Sequence, residues 1–328
     1  MLSFNRRRMV LSAATAAAAF GLDKPLEIIG SAAAQQGAGP TAMNPKGLKQ
    51  VRFKIGDIEV TQVFDGAVEA ELAAGFVKNA SVDDAKAALK AAGLSDAKRP
   101  NSYTVTVVKI GGRYIMFDSG NGFAARPNSG LLDDGLKEAG IDPAKINTVI
   151  ITHFHPDHIS GLVARDGGQV FGHAEIIVPE VEYKFWTDPL ATSNLPEARK
   201  ALAKRIQLTF PTWKNVRQAK SEGDIVAGIK AVATHGHSPG HTSYLLGSGN
   251  DQLMVLGDIT NIPAINMRNP GWHVAFDQDP QLAEKTRRAT FDRVIADKIT
   301  CTGYHWGMPG AGTIARDGNG YALTPVKV

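Results

Sequence analysis

The chain predicts a single α/β domain in which two β-sheets pack together and helices cover their outer faces. Strand patterns come first and are then interleaved with helical ones, and residues 48–328 run on without a repeat or low-complexity linker. At 328 residues, 43% of them hydrophobic, the chain is also long enough to bury a large core.

Residues 1–34 read as an export segment to be removed before the rest is counted. Arg6, Arg7 and Arg8 precede "MVLSAATAAAAFGL", which carries no charge until Asp23, and Ala32 and Ala34 fit a small-x-small cleavage site before Gln35. That is the pattern of a twin-arginine signal peptide, so the mature protein is expected in the periplasm or outside the cell. The apolar run is too short to span a bilayer, and no stable membrane association is expected after cleavage. Residues 35–47, rich in Gly, Pro and Ala, read as a flexible leader.

"VRFKIGDIEVTQVFDG" alternates around Gly56-Asp57 and predicts a hairpin. In "ASVDDAKAALKAAGL" Ser81 is a helix cap and Gly93 a stop. A second hairpin turns at Gly111-Gly112, "GLLDDGLKEAG" is a short helix, and "INTVII" is a buried strand. The strand "AEIIVP" then precedes the helical stretches "EVEYKFWTD" and "LPEARKALAKRI". "GIKAVATHG", "TSYLLGS" and "QLMVLGD" read as strands. Asp279 and Pro280 start a long helix, and "ITCTGYHWG" and a Gly-rich turn before "YALTPV" close the chain.

The formal charge is +4, and residues 1–34 hold four of the basic and two of the acidic side chains, leaving +2 for the remainder. A balance so close to neutral does not argue for nucleic acid or an anionic membrane surface. No nucleic-acid partner is expected, and a homodimer stays open. Cys301 is the sole cysteine, so no intramolecular disulfide can form.

Chemistry concentrates in "THFHPDHISG", directly after "INTVII". His153 and His155 fall on the same side of an extended segment, and Pro156 then turns Asp157 and His158 towards them. Imidazole and carboxylate without thiolate suit zinc or a similar divalent ion, with Mn, Co or Fe as alternatives. "THGHSPGHTSY" offers His235, His237 and His241, "VLGDI" offers Asp258 and "TGYHWG" offers His305. With His241, seven ligands suffice for two ions. His153, His155 and His241 would hold one, Asp157, His158 and His305 the other, and Asp258 would bridge them.

His-x-His-x-Asp-His, the later "SPGHT", the Gly-Asp after a strand and the late histidine together resemble the metallo-β-lactamase superfamily. The match runs across most of the mature chain and is similar to the branch of methyl parathion hydrolase and the quorum-quenching acyl-homoserine lactonases. The resemblance implies an αββα sandwich of two mixed sheets flanked by helices, with the metals at one edge. It selects His241 over His235 and His237, because the third ligand is taken to follow a Pro-Gly pair. It also sets Asp118 behind the ligands as a buttress. His235, in the same loop as His237 and His241, is expected beside the ligands as a residue that orients them. Asn261 stands where the lactonases carry a tyrosine, so an amide is expected to assist the oxyanion. Trp306-Gly307-Met308-Pro309 replaces the Phe-Pro-Phe-Pro run of the parathion hydrolases, and Phe154, Trp272, His273 and Trp306 are expected to line the pocket. The implied activity is hydrolysis of small-molecule lactones, aryl esters or organophosphate triesters by a hydroxide shared between two ions, with Asp157 or a metal-bound water shuttling the proton. A β-lactamase, a glyoxalase II-like thioesterase and a non-catalytic zinc-binding module are the alternatives.

Overall fold

The computed structural model describes residues 42–248 and 251–327. The expected export segment, its cleavage point at Ala34-Gln35 and residues 35–41 of the leader lie outside these. The end of the leader is tied down. Met308 N–H donates to the Met43 carbonyl over 2.7 Å, and the buried Asn44 amide bonds both the N–H and the carbonyl of Leu48.

The first seven strands form one sheet in sequence order: β1 (Gln50–Ile55), β2 (Ile58–Glu71), β3 (Lys98–Ile110), β4 (Arg113–Phe117), β5 (Ile146–Ile150), β6 (Glu175–Pro179) and β7 (Val216–Ala219). β1 to β4 are antiparallel and β4 to β7 parallel. The second sheet takes β8 (Gly223–Val226), β9 (Ile229–Ala233), β10 (Thr242–Ser248), β11 (Asp251–Val255), β12 (Thr300–Thr302), β13 (Ala311–Asp317) and β14 (Gly320–Pro325). Only β11 and β12 pair in parallel there. The turn between β3 and β4 needs positive φ at both central residues, and Gly111 and Gly112 supply it at 54° and 79°.

Strand periodicity explains the layers. Ile115 and Phe117 face the second sheet while Met116 faces the helices; Ile177 likewise opposes Ile176 and Val178. On the other sheet Leu253 and Val255 point inwards, whereas Met254 joins Phe291 and Val294 beneath a helix. Strands buried on both faces have to read as continuous apolar runs, as these do. Each such side chain contributes roughly 1.5–3 kcal/mol by leaving water. The helices are α1 (Val82–Ala91), α2 (Leu132–Glu138), α3 (Pro156–Ile159), α4 (Glu180–Thr187), α5 (Glu197–Thr209) and α6 (Pro280–Ala296). Ser81 and Asp279 cap α1 and α6 through side-chain oxygens, as their positions predict. The architecture is the expected sandwich of two mixed sheets between helices.

Three strands were not foreseen. β7, β8 and β13 read "VRQA", "GDIV" and "AGTIARD", too short or too polar to show an apolar period. The predicted strand "ITCTGYHWG" stops at Thr302, because the chain folds the Trp306 indole over Gly303, where a Cβ would sit 2.1 Å from the ring. Five loops matter most. Those leaving β4, β5, β9, β11 and β12 carry Asp118, His153 to His158, His237, Asp258 and His305, and all meet at one edge of the sandwich.

Candidate metal centre

Two groups of side chains converge at that edge: His153, His155, His237 and Asp258 in one, Asp157, His158 and His305 in the other, each with ligand atoms within 4.8 Å of one another. His155 Nδ1 lies 2.9 Å from His153 Nε2 and 2.9 Å from His237 Nε2. Asp258 touches both groups. Its Oδ2 is 2.9 Å from His305 Nε2 and 3.3 Å from His237 Nε2, and its Oδ1 is 3.2 Å from His158 Nε2. Asp157 Oδ2 stands 3.5 Å from His158 Nε2 and 3.4 Å from His305 Nε2.

This donor set fits divalent cations. His158 Nε2 and Asp258 Oδ1 are buried without a hydrogen-bond partner among the described residues. Buried polar atoms facing one another unpaired are costly unless a cation satisfies them. The outer nitrogens, by contrast, are held. His153 Nδ1 meets Thr152 Oγ1 at 3.0 Å, His158 Nδ1 meets Asp118 Oδ2 at 2.8 Å, His237 Nδ1 meets Asp277 Oδ1 at 3.0 Å and His305 Nδ1 meets the Ser102 carbonyl at 2.7 Å. Such partners orient each ring and leave the inner nitrogen free to ligate.

The electrostatics draw positive charge inwards. Burial works against a charge on His158, yet Asp258, Asp118 and Asp157 hold it well above the usual imidazole range. Burial opposes charge on His237 too, and Asp258 and Asp277 outweigh it, pushing it up to about 9. Burial also works against a charged Asp258, and His305 and His158 overcome it to hold the carboxyl far below its ordinary range.

One expected ligand is corrected. His241 does not join the cluster; His237 does. His241 Nδ1 faces the Thr234 hydroxyl and carbonyl at 2.9 and 3.1 Å, and its Nε2 accepts the Asp258 N–H at 3.0 Å, so no lone pair is left for a metal. Burial, ahead of the neighbouring His237, drives its pKa down to about 3, as an imidazole that only accepts at Nε2 requires. His241 thus holds the backbone beneath Asp258. Gly257 permits the approach: its φ is +59°, and a Cβ there would lie 2.7 Å from His241 Nε2.

Asp118 lies where the resemblance put it, accepting from Thr152 N–H at 2.8 Å as well as facing His158. Its own φ of 62°, unusual for a non-glycine residue, aims the carboxylate. Asn261 Nδ2 donates to Asp258 Oδ2 at 2.9 Å, so one of the two N–H donors of this amide fixes the central carboxylate. His235 stays apart: its ring makes no hydrogen bond among the described residues, and only its carbonyl is used, by Thr286 Oγ1.

The four residues expected to line a pocket fall in separate packing environments. Phe154 is fully buried against Phe210, with ring centroids 4.6 Å apart. Trp306 packs into the core under α6, Trp272 packs beside Phe76 and Val274, and His273 Nε2 contacts Glu284 Oε2 at 2.9 Å. Apolar packing and a hydrogen bond hold those side chains.

Sequence reasoning also missed Glu182, Tyr304 and Asp277. Glu182 Oε1 accepts from Phe154 N–H and Trp186 Nε1–H, and its Oε2 from Ser238 Oγ–H and Gly240 N–H. It thereby straps the loop after β5 to the loop after β9. The Tyr304 ring lies on His158, centroids 3.9 Å apart, and its hydroxyl donates to the Asp157 carbonyl. Apart from the Glu182–Trp186 pair within α4, their partners are remote in sequence, so spacing carries no signal.

Fold and site define a metallohydrolase-type sandwich with a histidine and aspartate centre. A model of the metallo-β-lactamase superfamily matches residues 99–298, and the chain belongs to that superfamily. It is 29% identical over 126 residues to the N-acyl homoserine lactonase AttM of Agrobacterium fabrum, covering 38% of this chain and 44% of that protein. To the N-acyl homoserine lactonase of Bacillus cereus it is 27% identical over 154 residues, 46% and 53% of the two chains. The chain thus spans about half the length of the curated relatives it matches. Among solved structures, the hydrolase AbOPH of the β-lactamase superfamily superposes with a TM-score of 0.79 at 26% identity over 86% of this chain and 98% of its own. The dizinc quorum-quenching lactonase AidC shares the fold, with a TM-score of 0.77 at 24% identity over 85% of this chain and 98% of its own.

Proposed function

We propose that the protein is a binuclear metal-dependent hydrolase of ester-type bonds, with lactones as the favoured class and aryl esters or organophosphate triesters as further substrates. The observation that carries this reading is Asp258, whose carboxylate lies between the two ligand groups, with Oδ2 beside His237 and His305 and Oδ1 beside His158. A carboxylate so placed suits two ions sharing one water, and the similarity to N-acyl homoserine lactonases supports the lactone.

When bound, two divalent cations, zinc by preference, supply a water of lowered pKa and Lewis acidity towards a carbonyl or phosphoryl oxygen. His153, His155 and His237 would hold one, Asp157, His158 and His305 the other, with Asp258 between them. Asp118, Thr152, Asp277 and the Ser102 carbonyl keep the imidazoles in the required tautomer. Asp157 is the more accessible carboxylate, its side chain 20% exposed against 3% for Asp258. It is therefore the group placed to carry a proton to the leaving oxygen.

Purified protein loaded with zinc and offered acyl-homoserine lactones, aryl esters, a phosphotriester and a β-lactam should open the lactone with the highest kcat/KM. Preferential β-lactam turnover, or none of these reactions with two ions bound, would overturn the reading. We also propose export through the arginine cluster at Arg6 to Arg8. Replacing all three with Lys should strand the precursor in the cytoplasm, and normal export of that variant would refute it.

A further inference from the structure

Behind His237 lies a second layer of buried charge. Asp277 faces His237 Nδ1 with one oxygen and the Arg287 guanidinium with the other, at 3.0 Å each, and both Asp277 and Arg287 are only 1% exposed. Arg287, on α6, also donates to two backbone carbonyls. Nε donates to the Ile259 carbonyl at 2.7 Å and Nη1 to the Pro270 carbonyl at 2.9 Å. Ile259 directly follows Asp258. The main chain closes the same junction, with Gln278 N–H donating to the His237 carbonyl and Asp279 N–H to the Gly236 carbonyl, at 3.1 and 2.9 Å.

A buried ion pair is weak evidence for stability, because desolvating two charges offsets most of their attraction. This pair does something an apolar replacement could not. A single planar guanidinium fixes the carboxylate behind one ligand and the peptide beside another. Lysine, a point charge, could not match that fork.

We infer that Arg287 and Asp277 act as a positioning pair that presets His237 and Asp258 for the ion held by His153, His155 and His237. The inference rests on the metal-centre reading above. Asp277 keeps the proton of His237 on Nδ1, so that Nε2 presents its lone pair, and Arg287 keeps Asp277 in place while setting the chain after Asp258. Among the ring-bearing ligands, His237 alone is oriented by a carboxylate on the loop before α6. Loss of the pair should therefore weaken one ion selectively.

The test compares full-length wild type with Asp277→Asn and Arg287→Lys, using zinc titration against a chromophoric chelator and ¹⁵N NMR of the imidazoles in metal-free protein at a pH above about 9, where the His237 ring is neutral and its tautomer can be read. Thermal unfolding of the metal-free proteins accompanies both. Wild type should bind two ions, and each variant should bind one of them about 10–100-fold more weakly while keeping the other. The weakened ion should be the one lost in His237→Asn, and the His237 ring in Asp277→Asn should no longer favour the Nδ1–H tautomer. If both ions weaken in proportion to the loss of thermal stability, with the tautomer unchanged, the pair is merely structural and the inference falls. Wild-type constants in both variants also overturn it. Wild type that binds no zinc overturns the metal-centre reading itself, and the inference with it.

Discussion

Glu182 is buried at the start of α4 and receives four hydrogen bonds on two oxygens. Burial pushes its carboxyl up, and the donors Phe154 N–H, Gly240 N–H, Ser238 and Trp186 pull against that. Glu182→Gln preserves shape but leaves one accepting oxygen. If the new amide nitrogen faced Phe154 and Trp186, it would oppose two groups that can only donate. Turned towards Ser238 and Gly240 it fares better, since the serine hydroxyl can reverse and accept. The Gly240 N–H, 2.7 Å away in the wild type, is then left against another donor. Losing one charge-assisted bond and stranding one buried N–H costs about 3–5 kcal/mol. For a domain of this size that is a fall in Tm of roughly 5–8 °C. Thermal unfolding of the metal-free variant at neutral pH measures it, and zinc titration should show weaker binding, because the strap joins the neighbours of His155 and His237. A Tm within about 2 °C of wild type would refute the reasoning. It would mean that the group is already protonated, or that the strap is not made.

His237→Asn should remove one of two bound ions, whereas His241→Asn should retain both and lower Tm; elemental analysis and thermal unfolding separate the two. Asp258→Asn should cut esterase or lactonase kcat by about a hundredfold or more, the cost of losing a central electrostatic element, as steady-state kinetics on folded protein will show. Asp65, fully buried at the β2 bulge, is raised from 3.8 to about 6 by burial, against hydrogen bonds from Asn121, Leu132 and Gly130. Because the folded value is the higher one, its contribution to stability is complete below 3.8 and is lost as pH rises through about 6. A ¹³C carboxyl titration of the metal-free protein should find that midpoint near 6.

Much of the architecture was legible because it depends on local patterns. The Gly111-Gly112 turn, the Ser81 and Asp279 caps and the two-sided apolar strands each follow from a handful of adjacent residues. β7, β8 and β13 were not legible, since their pairing comes from neighbours and not from an apolar period of their own.

The sequence by itself determined the fold class and the cluster from His153 to His158, together with Asp258 and His305, because each of those groups ends a readable strand. It also located the third histidine to within one short loop. Only the tertiary structure chose His237 over His241, since the choice turns on what lies behind each ring. Asp277, forty positions on, leaves His237 Nε2 open, while Thr234 and the Asp258 amide engage both nitrogens of His241. Phe154, Trp272, His273 and Trp306 were settled the same way, by packing and pairing. A ligand is defined by a lone pair left free, and that depends on hydrogen bonds closed by residues far away in the chain.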